Sequence, residues 1–265
     1  MNYKDECCPI MAMSIGREPV QSDTGGRMDI CVVVIIHKAY CMPSDPMYLP
    51  LYVGWILHPD VIPEMSGDDT GTIISACNGY YSNLTGLYWL WGNRLAGAKC
   101  LVCYRRYLVT SSTVGWILMH DRLDRVVGVE GIERLLRPCD SSITQKLHYY
   151  IETVYSRYSY IVGSHQFNVC CTVPLELHPE FVSAWDNLKR FLSFRVFNMF
   201  IMSATCFNEY CNFMFAILIE RCLDLGQYSA FWDKCLDGSM RVFLAFGSAP
   251  PAMTMPSYPL LVPSR

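Results

Sequence analysis

Residues Ile30 to Ile36 form an unbroken, almost wholly β-branched run. Every side chain in it is apolar, so neither face of a strand built from it can look onto water. The arrangement that buries both faces is a central strand of a parallel sheet with helices on either side. A second apolar stretch, Cys100-Leu101-Val102, leads into Cys103-Tyr104-Arg105-Arg106-Tyr107-Leu108 and reads as another core strand. Between the two lies a helical pattern. Leu84, Leu87, Tyr88, Trp91 and Leu95 repeat at helical spacing, and Ser82 or Asn83 is placed to cap the start. Strand, helix, strand predicts an α/β fold with a mostly parallel sheet flanked by helices.

Both strands end in paired basic residues, His37-Lys38 and Arg105-Arg106. A guanidinium at the end of a core strand needs an anion, because an unpaired buried charge costs several kcal/mol, on the order of a domain's whole stability. In open α/β sheets ligands sit beyond the carboxyl ends of the strands. Both pairs are therefore expected to open on one crevice, and a phosphorylated ligand is the natural anion. If the strand ran on through both arginines, they would face opposite sides, one towards phosphates and the other towards a structural carboxylate.

Elsewhere the chain reads as follows. Residues 1–28 form an irregular extension, and 247–265 a Pro-, Ser- and Met-rich tail expected to be poorly ordered. Pro43 to Pro50 and Pro59 to Pro63 read as loops with a short helix between. Ile132 to Leu136 reads as a short helix, Tyr150 to Tyr160 as a tyrosine-rich helix and Phe197 to Met202 as a core strand. Thr205 then caps a helix with Phe207, Cys211, Met214, Leu218 and Cys222 on its apolar face.

Apolar residues make up 52% of the chain and charged residues 17%, enough for a substantial core. A net charge of −3 without a basic face excludes broad nucleic-acid binding. No apolar run is long enough to span a bilayer and the first residues do not resemble a signal peptide, so the expected compartment is the cytoplasm. The 14 cysteines show no disulfide framework. Cys100 and Cys103 would point to opposite faces of their strand, so no metal site is read from them and the thiols are taken as small core hydrophobes.

Several blocks in order carry a family resemblance: His37-Lys38, Met42-Pro43, Tyr48-Leu49-Pro50, Gly67-Asp68-Asp69-Thr70-Gly71, Leu84-Thr85-Gly86-Leu87-Tyr88-Trp89-Leu90-Trp91, the Arg105-Arg106 motif, Tyr150 to Tyr155, and Phe197 to Met202 with Glu209-Tyr210-Cys211. Together, over about residues 29–243, they resemble a bacterial domain family of capsular and exopolysaccharide biosynthesis glycosyltransferases, long catalogued as a domain of unknown function. The resemblance implies a GT-A-like fold over residues 29–246. It implies a nucleotide-sugar donor, UDP-linked, a lipid-linked or oligosaccharide acceptor, and peripheral contact with the inner membrane face.

Donor binding would fall to His37, Lys38, Asp68, Asp69, Thr85, Arg105, Arg106 and Asn198. The arginine pair stands where many such enzymes hold a divalent metal on Asp-x-Asp, so no metal cofactor is expected and guanidinium groups would neutralise the leaving diphosphate. Glu152 is the first candidate for general base and Asp140 the second; a salt bridge from Glu152 to one of the arginines is the competing reading. Asp68 and Asp69 sit between glycines, where a tight turn explains them as well as ligand contact. The chain departs from the family at Ile36, Asn83 and Cys103, and at Arg241 to Phe246, where a family Glu-Arg is missing. Either a divergent substrate or a weakened enzyme would account for these departures.

Overall fold

A computed structural model describes residues 27–59, 65–104, 106–109, 126–144, 147–162, 182–194, 198–224, 257–258 and 260–261, with isolated positions between. The central sheet has six strands in the order β2-β1-β3-β8-β5-β9. These are β1 Ile30–Ile36, β2 Tyr48–Tyr52, β3 Ala98–Cys103, β5 Ser141–Thr144, β8 Phe200–Ser203 and β9 Ser257–Tyr258. Strand β1 pairs in parallel with β2 and β3, β8 runs antiparallel to both β3 and β5, and β9 is parallel to β5. All strands but β8 thus share one direction, and the expected α/β class with a mostly parallel sheet is what forms.

Alternation along β1 divides the core. Val33 and Ile35 face a layer made by α2 (Asn83–Asn93), α4 (Val154–Val162), α5 (Val182–Arg190) and α6 (Ala204–Asp224). Val32, Val34 and Ile36 face the other layer, which includes Ile132 of α3 (Val129–Leu136) and the strand β4 (Tyr107–Leu108). Val33 to Ile36 are fully buried, as a strand covered on both faces must be. A four-residue helix, α1 (Asn78–Tyr81), precedes α2.

Several expectations need correction. Tyr48–Tyr52 lies in the proline-punctuated stretch read as a loop, yet it forms β2, with Pro50 opposite Val34. As the outermost strand of the sheet it has no strand partner on its outer side, and such an edge tolerates a residue without an N–H. The short helix expected after it is a single 3-10 turn, Trp55–Leu57. Helix α2 stops at Asn93, so Leu95 is exposed instead of continuing the apolar face. The cap of α6 is Ser203, whose Oγ accepts from the Cys206 N–H at 3.4 Å; Thr205 already lies inside the helix. Helix α4 begins at Val154, which leaves Glu152 in the turn before it. Within residues 247–265, β9 pairs with β5 and β10 (Leu260–Leu261) with β4. Residues 1–26, Arg105, Phe197, Arg241 to Phe246, and the side chains of Leu218 and Cys222 lie outside the described residues.

Between β5 and β8 the described residues 147–162 and 182–194 form an excursion from the sheet. It leaves at the carboxyl end of β5 and returns at the start of the antiparallel β8, so both of its ends lie at the same edge. Its base is a small ribbon in which β6 (Leu147–His148) pairs with β7 (Ser193–Phe194).

Candidate functional site

The carboxyl ends of β1 and β3 meet as the sequence pattern requires. The Tyr104 N–H donates to the Ile35 carbonyl at 2.9 Å, and the chain then turns, with Arg106 N–H donating to Cys103 O at 3.0 Å. The strand therefore does not run through the arginine pair, and simple alternation does not decide which way each guanidinium points. Arg106 is exposed at this edge.

Around it the structure gathers groups from two loops. The His37 ring meets Tyr104 edge-on, with centroids 5.9 Å apart. Tyr40 and Tyr104 stack at 4.6 Å with an interplanar angle of 18°. The Lys38 ammonium sits 5.3 Å from the Tyr40 centroid. Basic and aromatic groups thus share one surface at the end of the two central strands. Tyr40 and Tyr104 carried no assignment from sequence, although Tyr104 lies inside the motif that drew attention to the arginines.

Helix α2 aims its N-terminus at the same edge, where the Asn83 amide lies 3.7 Å from the Cys103 sulfur. The dipole of that first turn adds positive potential, and the turn contains no acidic residue to cancel it. Ser82 holds the N-cap position with φ 47°, and its side chain makes no capping bond. Such a backbone conformation costs a residue with a Cβ about 1–3 kcal/mol, which the surrounding packing must supply. Thr85, fully buried, closes the turn: its hydroxyl donates to Ser82 O at 3.1 Å and accepts from the Asn78 amide at 3.0 Å. Its hydroxyl is thus engaged in helix geometry.

The Gly67–Gly71 loop lies beyond β2, tied by the Asp68 N–H donating to Tyr52 O at 3.0 Å. A side chain at Gly67 would run into the Trp55 ring, and Gly71 takes φ +74°, so each glycine is needed for the path of the loop. Asp68 is buried. Its carboxylate accepts from the Gly54 and Trp55 N–H groups, both at 3.1 Å, and from Ser75 Oγ at 2.5 Å. It braces the loop from within, whereas Asp69 is partly exposed. On the far side the Asn93 amide grips Thr72, donating to its O and accepting from its N–H, both at 2.8 Å.

The other candidates separate. Asn198 is buried just before β8, and the β3–β8 register carries it opposite Cys103, at the basic edge. Glu152 is on the excursion, half exposed and ion-paired with Arg157 at 2.8 Å. That bond pushes the Arg157 pKa up, and the guanidinium also lies 4.7 Å from the Tyr149 centroid. The salt bridge considered for Glu152 thus exists with an arginine outside the motif. Asp140 lies at the opposite edge: its carbonyl accepts from Ser203 N–H at 2.8 Å, at the far end of β8. The length of β5, at about 3.3 Å per residue, separates it from the basic groups. Among the described residues no three His, Cys, Asp or Glu side chains come together as a metal set. Buried thiols such as Cys100 and Cys211 have pKa values raised well above the ordinary thiol range by loss of hydration, as core hydrophobes should.

The model of a family described as a domain of unknown function, DUF4422, matches residues 31–236. The chain belongs to that family. Comparison with curated proteins gave no match. Among solved structures, the apo form of the bifunctional glycosyltransferase WbbM superposes with a TM-score of 0.74 at 20% identity, covering 89% of this chain and 46% of that one. The DUF4422 chain thus spans about half the length of that structure, and at this identity the likeness speaks for the fold. No helix among the described residues is long and apolar enough to cross a membrane.

Proposed function

We propose that the chain is a GT-A-like glycosyltransferase that takes a sugar from a nucleoside diphosphate donor, UDP-linked, and passes it to a hydroxyl of a lipid-linked or oligosaccharide acceptor in surface polysaccharide synthesis. The observation that carries the reading is the basic and aromatic cluster of His37, Lys38, Tyr40, Tyr104 and Arg106 at the carboxyl edge of β1 and β3. That edge is where an α/β sheet presents its ligand. The fold shared with WbbM supports it.

In the proposed reaction the acceptor oxygen forms a bond to the anomeric carbon. The bond from that carbon to the β-phosphate oxygen breaks, and its electron pair leaves with the diphosphate. Arg106, with Arg105, stabilises the charge that builds on the leaving oxygen, and Lys38 and the α2 N-terminus add to the field. Guanidinium groups do this by bidentate hydrogen bonds, without requiring a divalent metal. A nucleobase extends the Tyr40–Tyr104 stack. Asp69 and Asn198 are the candidates for ribose or sugar hydroxyls. Glu152, in the turn before α4, is the candidate to take the acceptor proton, and release from Arg157 would have to come first. Asp68 and Thr85 hold the loop and the helix that shape the edge.

The test is release of UDP from a panel of UDP-sugars, with and without EDTA. The reading expects slow release by water, faster release with acceptor, and no loss on chelation. Binding without release would favour a non-catalytic relative, and strict metal dependence would remove the arginine role.

A further inference from the structure

We propose that the surface formed by Tyr150, Ile151, Phe191 and Leu192, flanked by Lys189 and Arg190, docks on the interface of an anionic lipid bilayer. Tyr150 is 85% exposed and Ile151 92%, the highest exposures of large apolar side chains on this part of the molecule apart from Tyr160. Phe191 and Leu192 are 46% and 44% exposed. Backbone bonds bring the four together: Tyr149 N–H donates to Leu192 O at 2.7 Å, and Val154 N–H to Phe191 O at 2.8 Å. The turn that carries Tyr150 and Ile151 therefore stands directly over Phe191 and Leu192.

The turn is held in an expensive shape. Tyr150 has φ 61°, and Ile151 N–H closes back on Tyr149 O at 2.7 Å, a tight three-residue turn. An aromatic residue rarely adopts that conformation. No core contact repays it, because both side chains at the turn point into solvent.

The charges beside the patch select the occupant. Lys189 and Arg190 end α5, and the sequence continues Phe191-Leu192-Ser193-Phe194-Arg195, so cations flank the apolar residues in one short segment. Lys189 is paired with Asp186 at 2.7 Å and Arg157 with Glu152, so among the described residues of this surface Arg190 is the cation in excess, although the whole chain is net negative. A second copy fits poorly. An isologous contact would bring the same cations face to face, and the four side chains offer on the order of 500 Å², below the roughly 800 Å² per partner of a stable interface. A bilayer interface takes aromatic and aliphatic tips at the headgroup boundary and attracts adjacent Lys and Arg. The patch lies between β5 and β8, whose junction is on the carboxyl side of the sheet, the side that carries the candidate site.

The test is co-sedimentation of the full chain with vesicles of equal parts phosphatidylethanolamine and phosphatidylglycerol, and with vesicles of phosphatidylcholine alone. The wild-type chain should pellet with the anionic vesicles. I151D, a change at a solvent-facing position, should weaken that binding about tenfold or more while leaving the melting temperature in place. K189E and R190E should each weaken it about fivefold. A wild-type chain that stays in the supernatant, or I151D that binds like the wild type, overturns the proposal. So does a dimer in sedimentation velocity that I151D abolishes, with no vesicle binding by either form. Arg190 has no part in the proposed transfer, so R190E that releases UDP like the wild type while losing vesicle binding separates docking from sugar transfer.

Discussion

Asp68→Ala tests whether the first carboxylate of the Gly67–Gly71 loop holds the fold or a ligand. The substitution strands the Gly54 and Trp55 N–H groups, which have the Asp68 oxygens as partners at 3.1 Å. Ser75 Oγ also loses its acceptor, but a hydroxyl can rotate towards another. Each buried N–H left without a partner costs about 1–3 kcal/mol. The two together predict a loss of about 2–6 kcal/mol, against a total of about 5–15 kcal/mol for a domain. Asp68→Asn keeps one acceptor oxygen and should lose about half as much. Asp69→Ala, one residue away and partly exposed, should stay within about 0.5 kcal/mol of the wild type. Urea unfolding followed by tryptophan fluorescence measures all three, with the slope unchanged and the midpoint shifted. Asp68→Ala with an unshifted midpoint and lost nucleotide binding would refute the bracing role and return Asp68 to the ligand.

Stability should fall on the alkaline side in a defined window. Burial raises Cys206 from 9.0 to about 11 and Tyr107 from 10.0 to about 12. Below pH 9 both are neutral in the folded and unfolded chain alike, and their contribution is constant. As pH rises from 9 to about 11 the unfolded chain gives up the Cys206 proton while the folded chain keeps it, so stability falls. Thermal melts across that range should show the decline, and Cys206→Ala should flatten part of it; a wild-type melting temperature constant to pH 11 would contradict the burial. Tyr104→Ala should weaken UDP binding by roughly 5- to 150-fold, the worth of one base–aromatic stack, with little loss of stability; titration calorimetry checks this, and unchanged affinity would remove Tyr104 from the site.

The sequence was legible where burial is symmetric or periodic. β1 could be nothing but a two-sided core strand, and α2 announces itself by the spacing of Leu84, Leu87 and Tyr88. Legibility failed where a neighbour far along the chain decides the outcome. Pro50 reads as a breaker until β2 is known to lie at the sheet edge. Asp68 and Asp69 are equivalent in sequence, and only the placement of Gly54, Trp55 and Ser75 sends one inside. Asp140 and Glu152 are both plausible bases by residue type, but β5 runs between them and puts Asp140 at the wrong end. The aromatic half of the basic edge was missed because Tyr40 and Tyr104 come from different loops and acquire meaning by stacking.

The central claim is that the basic edge holds the diphosphate of a nucleotide sugar and releases it on transfer. Its most direct measurement is UDP release from UDP-sugars by the wild-type chain and by Arg106→Ala, at equal concentration and with folding verified by circular dichroism. The account predicts release by the wild type, unaffected by EDTA, and a fall of about 100-fold or more when a group that stabilises the leaving charge is removed. Release that Arg106→Ala leaves unchanged, or a wild-type chain that neither binds UDP nor releases it from any UDP-sugar, would contradict it.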